Sequence, residues 1–191
     1  MKNKCVISLL LIFYVFTNLA EGKPLSSTET NSIIDSVPEG IVISSNDSNI
    51  FNIYEERLCF LDNKTPMDLS YNEKVQPFID NYLGRNRALI ERMQGLQELY
   101  FPLFEQKLDK YNLPIEFKYL AIVESALNPK AKSPSGATGL WQFMYLTGKE
   151  YELEVTSYMD ERQDPYKSTE AACKYFVKLY DMFGDWNLVL A

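Results

Sequence analysis

A stripe of apolar residues near the end of the chain places the strongest constraint on its fold. The stripe recurs at positions i, i+1, i+4 and i+5, and its members are Ala171, Ala172, Tyr175, Phe176, Leu179, Tyr180 and Phe183. This spacing gathers them on one face of a helix, and such a helix needs another apolar surface to cover that face. We predict that Ser168 or Thr169 caps the helix and that Gly184 ends it.

Shorter patterns with three-to-four spacing predict further helices upstream. Their approximate ranges are 73–84, 86–112 with an interruption at Pro102, 115–127 and 139–151. Pro102 lies deep in its segment, so it should stop one helix or start the next. Asp185 should cap a last short helix. Outside residues 23–52 we find no alternation typical of a strand, and the sequence therefore predicts an all-α fold.

The first residues have the pattern of a secretory signal. Two lysines precede the apolar run Cys5–Phe16, which is too short to span a bilayer, and small residues follow up to Gly22. We expect a signal peptide over residues 1–22 and secretion to the periplasm or cell envelope, with an uncleaved membrane anchor as the alternative. Residues 23–52 are polar and turn-prone, which predicts a disordered leader.

Charge and composition exclude several kinds of function. The formal net charge is -7 and the chain contains no histidine. An acidic chain without a basic stripe is a poor partner for nucleic acid. The absence of histidine removes Ser-His and Cys-His nucleophile pairs and the common His-ligated metal sites. Acid–base chemistry must then fall to Glu, Asp, Lys or Tyr, and we expect no cofactor and no metal.

Cys59 and Cys173 are the cysteines that follow the predicted signal. An oxidising compartment would permit a disulfide between them. The alternative, which we favour, is that Cys173 lies in the last long helix as a small buried hydrophobic residue.

A lone carboxylate ends the apolar run 119–123. Glu124 follows Leu120 by four residues and should share its inward helix face. Burial disfavours the charged carboxylate and raises its pKa, which would supply the protonated acid that cleavage of a glycosidic bond requires. The alternative is a surface glutamate that bends into solvent or pairs with Lys130 or Lys132.

The next acid after Glu124 is Glu150. Most glycosidases use two carboxylates at a fixed distance, so this gap favours a mechanism with a single acid in which the substrate supplies its own nucleophile. The small residues of the intervening loop, among them Ser133 and Gly136, either let a sugar chain approach the backbone or simply form a turn.

Gln142 and Met144 should follow on the next helix. A glutamine can bond sugar hydroxyl or acetamido groups, and a methionine offers an adaptable apolar contact. Their aromatic neighbours Trp141 and Phe143 are better suited to the core than to a sugar platform.

Several motifs in order resemble a known family. The run Glu124-Ser125, followed by Ser133-x-x-Gly136-Ala137-x-Gly139-Leu140-Trp141-Gln142-Phe143-Met144, is similar to the signature of catalytic domains of the soluble-lytic-transglycosylase (SLT) type. Three further motifs resemble, more narrowly, those of the membrane-bound lytic murein transglycosylase D group. They are Lys118-Tyr119-Leu120, Asp160-Glu161-Arg162-x-x-Asp164-Pro165 and Asp185-Trp186. The resemblance covers roughly residues 54–191.

The resemblance implies a fold, a substrate and roles for individual residues. The expected fold is a lysozyme-like α domain over residues 113–191, preceded by a small helical region over residues 53–112. Glu124 would be the sole catalytic acid and base, and the substrate-binding residues would be Ser133, Gln142 and Met144. The partner would be the glycan strand of peptidoglycan, bound by a monomer associated peripherally with the cell envelope. Because the family continues with an Ala-Tyr-Asn-x-Gly motif beyond the position of Ala191, we expect a C-terminally truncated domain.

The function implied is lytic transglycosylation. The enzyme would cleave the β-1,4 bond between N-acetylmuramic acid and N-acetylglucosamine and leave a 1,6-anhydromuramic acid end. Two alternatives stay open at this point. One is a lysozyme-like hydrolase of peptidoglycan, and the other is a non-catalytic peptidoglycan-binding module in which Glu124 is structural.

Overall fold

The computed structural model describes residues 55–56, 58–72, 74–82 and 86–190. The predicted signal peptide, the predicted leader and the helix end expected at Gly84 lie outside these residues. Within them the regular elements are helices, joined by isolated β-bridges without a strand. The predicted all-α fold class is confirmed. In the same part of the chain, every helix is too short or too polar to cross a membrane.

From residue 76 onward, the described part of the chain forms six α-helices and two 3-10 helices. The α-helices are α1 (Gln76–Asp80), α2 (Arg87–Lys110), α3 (Leu120–Ser125), α4 (Tyr145–Glu150), α5 (Pro165–Phe183) and α6 (Trp186–Val189). The 3-10 helices are Ile115–Tyr119, which leads directly into α3, and Glu161–Gln163, which precedes α5. Residues 58–62 are also helical.

Helix α2 passes through Pro102 without ending, so the predicted interruption is wrong. A proline inside a helix removes one N–H donor and leaves the carbonyl four residues earlier without its usual partner. That carbonyl belongs to Glu98, and both Glu98 and Pro102 lie on the exposed face, where water can bond the freed oxygen. The opposite face buries Phe101 and Phe104, and this packing keeps the helix continuous.

The helix predicted over residues 115–127 is present in two parts and ends earlier than expected. Its first turn is the 3-10 helix, and α3 ends at Ser125. Ala126 and Leu127 have φ angles of 50° and 58°, which turn the chain away from the helix axis. Leu127 is thereby carried into the core, where its side chain is fully buried.

The helix predicted over residues 139–151 forms only in its second half, as α4. Residues 139–144 form a tight turn instead, which we call the 139–144 turn. Thr138 and Phe143 exchange backbone hydrogen bonds of 3.0 and 3.1 Å across it. Gly139 and Gln142 have φ angles of 89° and 49°, which an α-helix cannot contain.

Helix α5 begins earlier than predicted. Asp164 caps it by accepting a hydrogen bond of 2.8 Å from the backbone N–H of Lys167, so the expected cap at Ser168 or Thr169 is wrong. Both hydroxyls lie inside the first turns, are fully buried, and donate back to the carbonyl oxygens of residues 164 and 165. The predicted end of α5 at Gly184 and the predicted cap of α6 by Asp185 are confirmed.

An aromatic core joins α2, the 3-10 helix Ile115–Tyr119, the 139–144 turn and α5. The ring of Trp141 lies 5.0 Å from that of Phe104 and 5.8 Å from that of Phe176, and the ring of Phe176 lies 4.7 Å from that of Phe117. Tilted contacts of this kind suit the quadrupoles of the rings. The core therefore draws on both sides of the division expected after residue 112, and that division stays a prediction.

The apolar stripe of α5 is buried at its start and exposed at its end. Ala171 and Ala172 are buried, whereas Phe183 is 51% exposed. Cys173 lies on the buried part, and both it and the exposed Cys59 are free thiols. The interpretation of Cys173 as a buried hydrophobic residue is confirmed, and burial raises the pKa of its thiol to about 12.

Candidate active site

A cleft of about 290 Å³ lies between α3, the 139–144 turn, α5 and α6. It is lined by Leu120, Glu124, Trp141, Gln142, Phe143, Met144, Thr147, Ala172, Tyr175, Phe176, Leu179, Val189 and Leu190. Most of these side chains are apolar, and a few polar groups converge among them, as is typical of a binding site for a small or extended ligand.

Glu124 stands at the edge of this cleft. Leu120 and Ala121 on the same helix are buried, as expected, but the Glu124 side chain is exposed to solvent through the cleft rather than enclosed. The surrounding protein still desolvates the carboxyl group, and this raises the pKa of Glu124. The alternative of an ion pair with Lys130 or Lys132 is not realised, since neither forms a salt bridge with it.

Two properties of Glu124 follow from its surroundings. Among the described residues that line the cleft, it is the only carboxylate. No hydrogen bond from another described side chain or backbone group stabilises its charged form. The absence of such hydrogen bonds, together with desolvation, favours a proton that stays on the carboxyl group to a higher pH than on an ordinary glutamate.

Ser125 connects the glutamate helix to the 139–144 turn. Its hydroxyl lies 2.8 Å from the carbonyl oxygen of Ala121 and 3.0 Å from that of Leu140. One hydroxyl proton is shared between the two acceptors. The turn is thereby held against the end of α3, next to Glu124.

The Gln142 side chain lines the cleft. Its Nε2 group donates to the carbonyl oxygens of Gly139 and Ala131 at 2.9 and 3.3 Å. Because both neighbours are acceptors, the NH₂ group must face them, and the amide oxygen is left to accept from another molecule. Met144 follows two residues later at the start of α4 and is 45% exposed.

The structure brings Glu124, Gln142 and Met144 to one cleft but leaves Ser133 outside its described lining. The Ser133 hydroxyl lies 2.9 Å from that of Ser135 and accepts a hydrogen bond of 3.0 Å from the backbone N–H of Ala137. Ser133 thus holds the preceding loop in shape, and its role in binding stays a prediction.

Some lining residues were not assigned to the site by sequence reasoning. Trp141 and Phe143 are buried, as predicted, yet each also contributes to the cleft wall. Tyr175 and Leu179 belong to the apolar stripe of α5, and periodicity gave no sign that part of that stripe faces a cleft. No sequence pattern indicated that Thr147 would line the site. Among the described residues, no group of three or more potential ligands could hold a metal ion.

Comparison with known proteins agrees with these features. Residues 102–191 match the family described as Transglycosylase SLT domain. Over 133 residues, 69% of the chain, 35% are identical to the "Membrane-bound lytic murein transglycosylase D" of Escherichia coli (strain K12), and the same values hold for that of Escherichia coli O6:H1 (strain CFT073). A protein from Alteromonas sp. (strain M-1) that is named for resistance to tributyltin chloride is 35% identical over 95 residues, 49% of the chain.

The chain spans 29% of the length of the two Escherichia coli relatives and 46% of the length of the Alteromonas relative. The family match begins inside α2 and includes Glu124 and the complete 139–144 turn. The similarity to the Transglycosylase SLT domain family thus extends over residues 102–191, the part of the chain that builds the cleft.

Proposed function

We propose that this chain carries the catalytic site of a lytic transglycosylase that cleaves peptidoglycan. The family match and the names of the two Escherichia coli relatives support this reaction class. The observation that carries the proposal is the isolation of Glu124, a carboxyl of raised pKa that is the only acid among the described residues of an otherwise largely apolar cleft.

In the first step, protonated Glu124 donates its proton to the oxygen between N-acetylmuramic acid and N-acetylglucosamine. The bond from C1 of the muramic acid to that oxygen breaks, and the N-acetylglucosamine hydroxyl leaves. The acetamido group of the same muramic acid stabilises the positive charge that develops at C1. Partial desolvation of Glu124 raises its pKa, so the carboxyl group holds this proton to a higher pH than an ordinary glutamate does.

In the second step, ionised Glu124 takes the proton from the C6 hydroxyl of the muramic acid. The C6 oxygen then bonds to C1, and a 1,6-anhydromuramic acid end forms without consuming water. The carboxyl returns to its protonated state. A mechanism of this kind needs one acid/base group, which agrees with the single carboxylate of the described lining. General acid–base help is typically worth ~10²–10⁴-fold in rate.

Gln142 and Met144 are proposed to bind the sugar beside the scissile bond. The free amide oxygen of Gln142 can accept from a hydroxyl or an acetamido N–H, and the exposed thioether of Met144 can pack on a ring face. Ser133 is proposed to contribute from the loop that it shapes. The substrate is the glycan strand, bound by a monomer at the cell envelope, in keeping with the predicted signal over residues 1–22.

The test compares Glu124→Gln with Glu98→Gln on purified peptidoglycan. Glu98 lies on the exposed face of α2 away from the cleft, so its variant controls for the loss of one carboxylate. We expect Glu124→Gln to lose at least ~10²-fold in rate and Glu98→Gln to lose nothing measurable. Mass spectrometry should find products that end in anhydromuramic acid, lighter by one water than hydrolysis products.

Different outcomes would favour the two alternatives. Reducing ends that incorporate ¹⁸O from labelled water would indicate a lysozyme-like hydrolase. Binding to peptidoglycan without any product, in wild type and Glu124→Gln alike, would indicate a binding module. Unchanged product release by Glu124→Gln would remove Glu124 from the catalytic role.

A further inference from the structure

Arg162 does not line the cleft, yet its side chain reaches two of the segments that build it. The residue is 6% exposed and lies in the 3-10 helix before α5. Its Nη1 group donates to the carbonyl oxygen of Gly136 at 3.1 Å and to that of Phe143 at 3.2 Å. These two oxygens come from the loop before the 139–144 turn and from the turn itself.

Asp160 locks the guanidinium group in this position. The Nε group of Arg162 donates to Asp160 Oδ1 at 2.9 Å and Nη2 donates to Oδ2 at 2.7 Å, which is a bidentate pair. The hydrogen bonds from the Arg162 side chain lower the pKa of Asp160. The Arg162 side of the pair is buried, and the Nη1 NH₂ group is aimed at the two carbonyl oxygens.

The backbone of Arg162 also touches the turn. A Cβ atom built on Gly139 would lie 1.8 Å from the carbonyl oxygen of Arg162, so the two chains meet where only a glycine fits. The aliphatic part of the Arg162 side chain lies against Gly148 of α4, with Cδ 3.2 Å from the position of an added Cβ. Arg162 is therefore packed against the beginning of the turn, its end, and the helix that follows.

We propose that Arg162, held by Asp160, is a positioning residue that sets the place of Gln142 and Met144 relative to Glu124. The Phe143 carbonyl that Arg162 bonds lies between those two residues in the chain. On the other side, Ser125 holds the Leu140 carbonyl beside Glu124. This inference rests on the proposed function, because it assigns Arg162 to the geometry of that same site.

The role requires a guanidinium group. A lysine keeps the charge and most of the aliphatic stem, but its single nitrogen cannot bond both Asp160 oxygens and the two backbone carbonyls. The Phe143 carbonyl would keep only its bond from the Thr138 N–H, and the turn could shift. A misplacement of about 1 Å in such a site can cost roughly 10²-fold in rate.

The experiment measures kcat, KM and glycan binding for Arg162→Lys, Asp160→Asn and the control Ile90→Ala. Ile90 is fully buried in α2 and does not line the cleft, so its variant lowers stability without touching the turn. Rates are compared at temperatures where circular dichroism finds each variant folded. Binding of a soluble peptidoglycan fragment is measured with each change placed in the Glu124→Gln background, where turnover does not interfere.

We expect Arg162→Lys and Asp160→Asn to lower kcat/KM roughly 10²-fold. We also expect weaker fragment binding and an unchanged pH midpoint for the group assigned to Glu124, which neither residue contacts. Wild-type binding and turnover by folded Arg162→Lys would overturn the proposal, as would losses equal to those of Ile90→Ala at the same folded fraction. If the wild-type protein forms no anhydromuramic ends but Arg162→Lys still weakens fragment binding, the proposed function fails and the positioning role stands.

Discussion

The hydroxyl oxygen of Ser125 lies 3.0 Å from the carbonyl oxygen of Leu140, and this contact joins the helix that ends beside Glu124 to the 139–144 turn. Arg162 holds the opposite end of the turn through the carbonyl of Phe143. Two separate sets of hydrogen bonds, from Ser125 and from Arg162, thus fix the position of the turn that carries Gln142 and Met144 relative to Glu124.

The substitution Ser125→Ala should remove the hydrogen bond between α3 and the 139–144 turn. The hydroxyl donates within the protein, and its loss leaves the carbonyl of Leu140 without this donor. We expect a loss of about 0.5–1.5 kcal/mol in the free energy of unfolding, measured by urea denaturation, together with a lower kcat/KM. Ser157→Ala on an exposed loop is the control. Equal effects of the two changes would show that the contact has no structural importance.

Glu124 should make the wild-type protein less stable as the pH rises. Its pKa is raised above 4.5 in the folded state, so the folded protein holds this proton to a higher pH than the unfolded chain does. Stability is therefore lost as the pH rises from about 4.5 through the folded pKa, and is constant above it. Glu124→Gln removes this loss, and we expect a higher Tm than wild type at pH 7 and an equal Tm below pH ~4.

The control for that measurement is Glu98→Gln, whose Tm difference from wild type should not change with pH. A Glu124→Gln protein that is less stable than wild type at pH 7 would contradict the raised pKa. Gain of stability with loss of activity is a common property of substitutions at functional residues.

Gly139 and Gly136 have the same φ angle of 89° but different surroundings. At Gly139 an added Cβ would lie 1.8 Å from the backbone oxygen of Arg162, whereas at Gly136 nothing lies within 4 Å. Gly136→Ala should therefore cost only the strain of a left-handed residue, about 1–2 kcal/mol. Gly139→Ala should cost more than about 3 kcal/mol or prevent folding, as thermal unfolding would reveal. Similar melting temperatures for the two variants would contradict the close contact with Arg162.

At Gly95, in contrast to Gly136 and Gly139, substitution by alanine should stabilise the protein. Gly95 lies in the middle of α2, has no φ angle that alanine avoids, and has open space where a Cβ would be added. Gly95→Ala should raise the free energy of unfolding by about 0.5–1 kcal/mol, because alanine loses less backbone entropy in a helix. Urea denaturation tests this, and a destabilised variant would mean that α2 is not a continuous helix at this position.

Glu170 links α5 to α2 through Lys107, Lys110 and Tyr111. Desolvation alone would raise the pKa of Glu170, but hydrogen bonds from these three residues lower it to about 2. The depressed pKa means that the stabilising effect is fully present above pH ~4.5 and is lost as the pH falls through about 2. Glu170→Gln leaves the buried Lys107 cation without its carboxylate and should cost about 2–3 kcal/mol at neutral pH.

Acid titration of stability should separate Glu170 from an ordinary surface glutamate. The difference between wild type and Glu170→Gln should shrink as the pH is lowered from 4.5 toward 2. Glu91→Gln, which removes an exposed pair with Arg87, should have no measurable effect at either pH. A constant difference for Glu170→Gln across this range would contradict the depressed pKa.

Local patterns predicted the elements whose determinants lie close together in the sequence. The all-α class, the stop at Gly184 and the cap at Asp185 each depend on residues within one or two turns of the same segment. The end of α5 is an example, because a glycine at φ 65° stops a helix wherever the helix is packed. Predictions failed where a distant contact outweighed the local preference, as at Pro102, where core packing on the opposite face keeps α2 continuous.

The amino-acid sequence predicts a helical chain in which a lone carboxylate, Glu124, ends an apolar run and is followed by a family signature. That residues 139–144 form a turn rather than a helix depends on tertiary contacts, since Ser125 holds the turn on one side and Arg162 holds it on the other. The Arg162 contact with the carbonyl of Gly136 spans 26 positions. Hydrophobic periodicity and capping patterns describe interactions between residues that are close in sequence. They therefore cannot predict a hydrogen bond between a side chain and a backbone carbonyl that are 26 positions apart.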